Sequence, residues 1–185
     1  MTSAPTVRGV SLRPMARSDE DLYCRLYSDP RVMAHIGAPL PPEAARKAFG
    51  LALSQDAATP PLVRYWIACE DSSTRGCGLL ALRFDRNRSG SAEMGILLEP
   101  SVQGRGHASM ALAVLAEHAF ASFPLERLWT RHRDENRVVV RLMEALGFQR
   151  EPGSAAGEVR WSMGREEWFD GRRRRVGFAS SGAGS

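Results

Sequence analysis

EMGILLEPSVQGRGHASMALAVLAEHAF, residues 93–120, carries the chain through a strand, a turn and a helix start. Met94 to Leu98 is an apolar run stopped by Glu99-Pro100, with the length and bounds of a strand. From Ala108 onward alanine and leucine dominate, the residues that lose least in a helix. Between them, Gln103-Gly104-Arg105-Gly106-His107-Ala108 places small residues where a backbone must come close to a partner. The first N–H groups of a helix lack intrahelical acceptors, and its dipole is positive at that end. The stretch is an anion-binding device, and the question is which anion it takes.

Three phosphate-binding patterns compete for the turn. A Walker loop requires the triplet GK[ST], which the chain lacks. A dinucleotide fingerprint GxGxxG finds Gly104 and Gly106 in place but Ser109 at its third position, and its strand belongs to a meander. The pattern Gln/Arg-x-x-Gly-x-Gly/Ala is met in full by Gln103 to Ala108. There, small residues let consecutive amides converge on a pyrophosphate, and Arg105 adds a cation. The plain alternative is a tight strand-to-helix connection whose glycines are incidental.

Composition sets the bounds. The 185 residues fit one domain with a sizeable core, and 43% hydrophobic with 25% charged residues is an ordinary soluble balance. No apolar run nears the roughly 20 residues of a membrane span, and MTSAPTVRGVSLRP lacks the apolar centre of a signal peptide. Cys24, Cys69 and Cys77, without CxxC spacing, argue against a disulfide framework or a metal site and fit a reducing cytoplasm. The net charge of +4 resides in Arg172 to Arg175; without them basic and acidic residues balance at 21 each. The body of the protein therefore has no electrostatic reason to bind nucleic acid.

Residues 7–13 alternate as a first strand, ended by Pro14. Ser18-Asp19-Glu20-Asp21 supplies an N-cap and an acidic first turn for a helix to about Tyr27. Residues 31–37 form one further helical turn, and Pro41-Pro42-Glu43 opens a helix to about Ser54 whose apolar face is Ala45, Ala48, Phe49 and Ala52. Gln55 to Leu62 reads as a loop. Strands at 64–70, 76–84 and 91–98 are separated by polar turns and make an antiparallel meander. The central helix runs from about Arg105 to Ser122, followed by a strand at 126–133 and a helix from Asn136 to Leu146 capped by Gly147. Phe148 begins a strand that pairs with the last one, Glu158 to Gly164. Beyond Trp168 the composition is that of a disordered tail, so the domain spans 1–170 and the tail 171–185.

Residues 93–120 resemble the acetyl-CoA-binding core of the GNAT N-acetyltransferase superfamily. LRPMARSDEDLYCRLYSDPRVMAHIG (12–37), NRVVVRLMEALGF (136–148) and WSMGREEW (161–168) resemble the first strand and helix pair, the second cofactor helix and the closing strand of its RimJ/RimL-like branch, which acetylates ribosomal-protein N-termini. The likeness covers about residues 8–168. It implies an α/β (α+β) fold: a mixed, mostly antiparallel sheet of about seven strands, splayed at the acetyl-CoA site, with about four helices.

The resemblance also implies a chemistry. Acetyl-CoA, as co-substrate and without a metal, would lie where the strand before the turn parts from that at 126–133. The amides of Leu97 and Leu98 would bond the pantetheine arm, and those of Arg105, Gly106, Ala108 and Ser109 the pyrophosphate, with Gln103, Gly104 and His107 completing the loop. Asn136 matches an asparagine that bonds the pantetheine; it also suits a helix N-cap. The acceptor, a small-molecule amine or a protein N-terminus, must lose a proton. Glu93 is the first candidate base, since a partly desolvated carboxylate is tuned for the task; a solvated strand-edge glutamate is the alternative. His35 and His132 compete with it, whereas His107 and His118 read as loop bystander and packing residue.

Two positions depart from the branch. Val139 stands where Asn-x-x-Ser places its serine, and no tyrosine lies between 136 and 146, which leaves water, Tyr65 or Cys69 as proton donor to the thiolate. Met110 replaces a glutamate early in the central helix. Tyr23, Tyr27, Trp66, Phe84 and Trp129 are divided between acceptor pocket and core. The helix pair at 18–54 and the loop at 151–158 would wall the acceptor side of a monomer or homodimer. The rival readings are a non-catalytic acyl-CoA-binding module and a nucleic-acid binder acting through its arginine tail.

Overall fold

The predicted meander forms the middle of the sheet in a computed structural model, which describes residues 6–7, 9–70, 73–152 and 157–171. β3 (Val63–Glu70), β4 (Gly76–Phe84) and β5 (Ser91–Leu98) pair antiparallel in chain order. β4 and β5 begin and end where the polar turns place them. Outside β3 lie β2 (Val10–Pro14) and β1 (Thr6–Val7); on the other side β6 (Arg127–Arg133), β8 (Glu158–Gly164) and β7 (Gln149–Arg150) follow β5 in that order. The sheet is thus mixed, mostly antiparallel and eight-stranded, with β1 and β7 only two residues long. The single strand expected at 7–13 is broken in two, because Gly9 takes φ +107° and turns the chain into a tight hairpin with Val7 opposite Val10.

The parallel pair positions the site. β5 and β6 are joined only at Ser91–Arg127, Ala92–Leu128 and Glu93–Trp129. Past that point β5 stays with β4 as far as Leu98–Gly78, while β6 stays with β8 as far as Arg133–Glu158. The inner edges of both strands are left open, and the sheet forks. A parallel neighbour requires a crossover, here α4 (His107–Ser122).

The helices are α1 (Glu20–Ser28), α2 (Pro30–Met33), α3 (Pro42–Asp56), α4 and α5 (Arg137–Leu146), and residues 165–171 are also helical. The count exceeds four because α2 is a single turn and because the stretch 161–168, likened to a closing strand, leaves the strand after Gly164 and coils into a further helix; residues 172–185 lie outside the described residues. Alternation along the strands builds two cores. Leu80, Leu82, Met94 and Leu128 pack with Leu115 and Phe120 of α4 on one face. Tyr65, Ile67, Leu79 and Leu97 pack with Leu22, Leu26 and Phe49 of α1 and α3 on the other. Each fully buried large side chain contributes about 1.5–3 kcal/mol. Among the described residues no helix is long and apolar enough to cross a membrane.

At the start of α1 the run 18–21 places Asp19 at the N-cap position and Glu20 and Asp21 in the first turn. The Asp19 carboxylate turns back to accept from Ala16 N–H (2.8 Å) and from both ends of the Arg13 guanidinium (2.7 and 2.8 Å). This pair ties β2 to α1. Burial by itself would push the Asp19 carboxyl up, but the Arg13 bonds and the Ala16 amide together hold it below the usual range. A depressed folded value means stabilisation is present above the unfolded value of about 3.9 and is lost as pH falls through the folded one. Asp19→Asn is therefore expected to cost about 1.5–3 kcal/mol at neutral pH and less at pH 3. Urea unfolding at both pH values measures this, and an equal deficit at each would show that the carboxylate charge is irrelevant.

Candidate active site

The turn after β5 has the geometry that its glycines foretell. Gly104 and Gly106 sit at φ +76° and +80°, in the left-handed region, and a Cβ on either would meet nothing within 4 Å. The cradle is open rather than filled by protein. The first backbone bond into α4 runs from Met110 N–H to Gly106 O, so the amides at 107–109 precede the helical ladder and face outward as donors. The Ser109 hydroxyl donates to Gly106 O (2.8 Å), and the Gln103 side-chain amide donates to Leu98 O (2.9 Å). Gln103 thus buttresses the loop against the strand end. His107 is mostly buried, with Nε2 3.4 Å from a Glu70 carboxylate oxygen, which anchors the helix start to the end of β3. Arg105 is exposed, and Ala108 packs onto the core. A pyrophosphate fits these residues: free amides, a left-handed turn and one exposed cation lie together at a positive helix end.

Leu97 and Leu98 occupy the forked end of β5, their side chains buried on opposite faces. Gly78 lets β4 press close beneath them, since a Cβ there would meet Leu97 O at 2.7 Å. Asn136 caps α5, its Oδ1 accepting from Val139 N–H (3.3 Å), which leaves the carboxamide NH2 as the group for another partner. Val139 is half-buried on the same first turn.

Glu93 marks the branch point of the fork and is enclosed by cations. Its Oε1 accepts from Arg131 Nε (3.1 Å), its Oε2 lies 4.0 Å from Arg83 Nε, and Arg131 reaches on to Glu158 (3.6 Å). The sequence suggested a partly desolvated carboxylate or a solvated strand-edge one; its neighbours are two guanidinium groups, one from β4 and one from β6. Single-sequence reading missed both, because the β5–β6 register that brings Arg131 alongside Glu93 has no local signature. A cleft of about 410 Å3 opens beside the carboxylate, lined among others by Gln55, Leu62, Arg83, Arg86 and Trp129. Of the proposed aromatics, Phe84 and Trp129 both line this cleft, and Arg160 stacks over the Trp129 ring (3.8 Å). Tyr23 packs with Tyr27 and Phe49, Trp66 with His118, and Phe84 with Phe123.

The competing side chains are otherwise engaged. Trp161 Nε1–H donates to His132 Nε2 (2.9 Å), which places the ring proton on Nδ1 beside Arg133 O (2.7 Å). His132 is a satisfied core residue with no lone pair to spare. His35 is exposed on the turn after α2. Burial pushes the His118 imidazole down, in keeping with its packing role. Burial likewise pushes the Tyr65 phenol up to about 12 and raises the Cys69 thiol despite Arg13 nearby, so both hold their protons firmly.

The sequence model of the acetyltransferase (GNAT) domain matches residues 10–149. The chain belongs to that family, and its forked sheet is the fold expected of it. Membership makes it an acetyl-CoA-dependent acetyltransferase. The uncharacterized N-acetyltransferase p20 of Bacillus licheniformis is 24% identical over 142 residues, covering 77% of this chain and 80% of that protein. Spermidine N-acetyltransferase from Vibrio cholerae, solved with CoA and spermine, superposes with a TM-score of 0.75 at 19% identity over 87% of this chain and 98% of that one. RimL, a ribosomal L7/L12 alpha-N-protein acetyltransferase solved with coenzyme A, gives 0.73 at 16% identity over 87% and 97%. At these identities the two superpositions speak to the fold alone.

Proposed function

We propose that this protein transfers the acetyl group of acetyl-CoA to a primary amine, either a small molecule or a protein N-terminus, by direct attack in a ternary complex. The observation that carries the reading is the fork: β5 and β6 part at Glu93–Trp129, beside a helix start whose turn is open. The Leu97 and Leu98 backbone would pair with the pantetheine arm, the amides at Arg105, Gly106, Ala108 and Ser109 would hold the pyrophosphate, and Asn136 would bond the arm from α5. Gln103, Gly104 and His107 shape the loop. The new N–C bond forms as the C–S bond breaks. The amine proton passes to Glu93, directly or through one water, and the departing thiolate takes a proton from solvent, since Tyr65 and Cys69 are poor donors. No acyl-enzyme is invoked: Cys24, the least buried thiol, lies on α1. A place in the RimJ/RimL-like branch rests on residues 12–37 and 136–148 and on the likeness to RimL.

Thiol release from acetyl-CoA across a panel of amines tests the activity. Tight CoA binding without turnover on any amine would favour the non-catalytic acyl-CoA module, the reading that Val139 suggests. Gly106→Val tests the loop separately. A β-branched residue at φ +80° is strained, and its side chain would stand where the backbone must approach the phosphates. CoA affinity is expected to fall at least tenfold, about 1.4 kcal/mol. Calorimetric titration showing wild-type affinity in a folded variant would mean that the loop does not hold the cofactor.

A further inference from the structure

Glu93 and its two arginines are not a symmetric group. Arg131 takes Oε1 at 3.1 Å, within hydrogen-bonding range, whereas Arg83 stands 4.0 Å from Oε2, at the limit of an ion pair. The negative charge of Glu93 is answered chiefly by Arg131. Arg83, 62% exposed on the same face of the sheet, keeps a guanidinium largely available to the cleft. Arg86 lines the cleft a short way beyond it and is exposed. The opposing carboxylate, Asp85, accepts from Asn87 N–H (3.2 Å) at the rim. Arg83 also lies near the phenols of Tyr27 and Tyr65: burial pushes both up, and the cation acts in the opposite sense on each. The wall beside the branch point therefore presents one carboxylate already paired with Arg131, followed by the guanidinium groups of Arg83 and Arg86 with the lone carboxylate of Asp85 between them in sequence, which leaves this stretch net positive.

That order of charges selects a chemistry. An ammonium next to Glu93 has a carboxylate to receive it, but a second ammonium a few bonds away would face Arg83 and Arg86. Like charges in contact repel strongly at the effective dielectric of a protein surface. A group of opposite sign in the same place would meet a planar fork suited to carboxylate or phosphate. The volume of about 410 Å3 lies toward the small end of the range for small-ligand sites. We infer that the acceptor is a small amine bearing an anionic group, carboxylate or phosphate, within a few bonds of its nitrogen, and that Arg83 binds this group. The inference rests on the transferase reading above and narrows its acceptor.

Steady-state turnover with acetyl-CoA tests it on α-amino acids, their methyl esters, aminoalkyl phosphonates, spermidine and an uncharged peptide α-amine. The free acids or phosphonates are expected to exceed the esters in kcat/KM at least about tenfold, and whichever anion is favoured identifies its source. In Arg83→Gln the acid-to-ester ratio should fall to within about twofold of unity while KM for acetyl-CoA stays unchanged, and Arg83→Lys should restore part of the ratio. Preference for spermidine, for the esters or for the peptide would overturn the inference and leave the transferase reading standing. An acid-to-ester ratio that persists in Arg83→Gln would also overturn it. Absence of turnover on every amine would remove both.

Discussion

Phe120→Ala is expected to cost about 3–5 kcal/mol of folding stability, the range for emptying a fully buried aromatic site. Phe120 has no exposed surface and lies near the end of α4, where the helix at 165–171 packs on it. The Phe169 ring approaches to 6.2 Å, and the Arg165 guanidinium sits 5.6 Å from the ring centre. Arg165 in turn donates to Leu125 O and Phe123 O, while Trp168 donates to Glu117. These bonds fix the helix at 165–171 over the site, so the walls cannot collapse freely into the cavity. For a chain of this size the loss corresponds to roughly 6–20 °C in Tm, with the urea m-value unchanged. A deficit under about 1 kcal/mol would contradict this packing. CoA affinity should persist below the transition, because about 13 helical residues, roughly 20 Å, separate Phe120 from the loop.

The same helix shows which parts of the structure the sequence discloses. α4 and α5 were legible because their ends carry local chemistry: glycine turns open one, and Asn136 and Gly147 cap the other. β4 and β5 were legible because polar turns bound them. Resemblance alone implied the fork, since periodicity within β5 or β6 says nothing about where their pairing stops. The helix at 165–171 was hidden because its composition runs into an arginine-rich tail, and tertiary bonds from Arg165 and Trp168 decide its state. The break at Gly9 depends on one φ value, which a lone glycine permits without requiring. At the site, the open turn at Gly104 and Gly106 was legible as small residues between a strand and a helix start. The partners of Glu93, the buttressing bond of Gln103 and the withdrawal of His132 into the core arise from register and three-dimensional neighbours.

Glu93→Gln is expected to lower kcat/KM for a strongly basic amine by about 10²–10³-fold at pH 7, the scale of a lost general base, with KM for acetyl-CoA little changed. The substitution separates two roles that the geometry superimposes. Glutamine keeps an oxygen that can accept from Arg131 at the branch point, so the tie between β5 and β6 survives in weakened form. What it loses is the capacity to take a proton. If Glu93 deprotonates the incoming ammonium, the defect must shrink for a weakly basic amine that is already neutral at pH 7. If Glu93 instead holds the fork in shape through Arg131, the defect will be the same for both amines, and Arg131→Gln will reproduce it. Rates for two acceptors of similar size and different basicity, in wild type and both variants, decide the matter. Full kcat in Glu93→Gln with the basic amine would exclude Glu93 as the base and return that role to water within the fork.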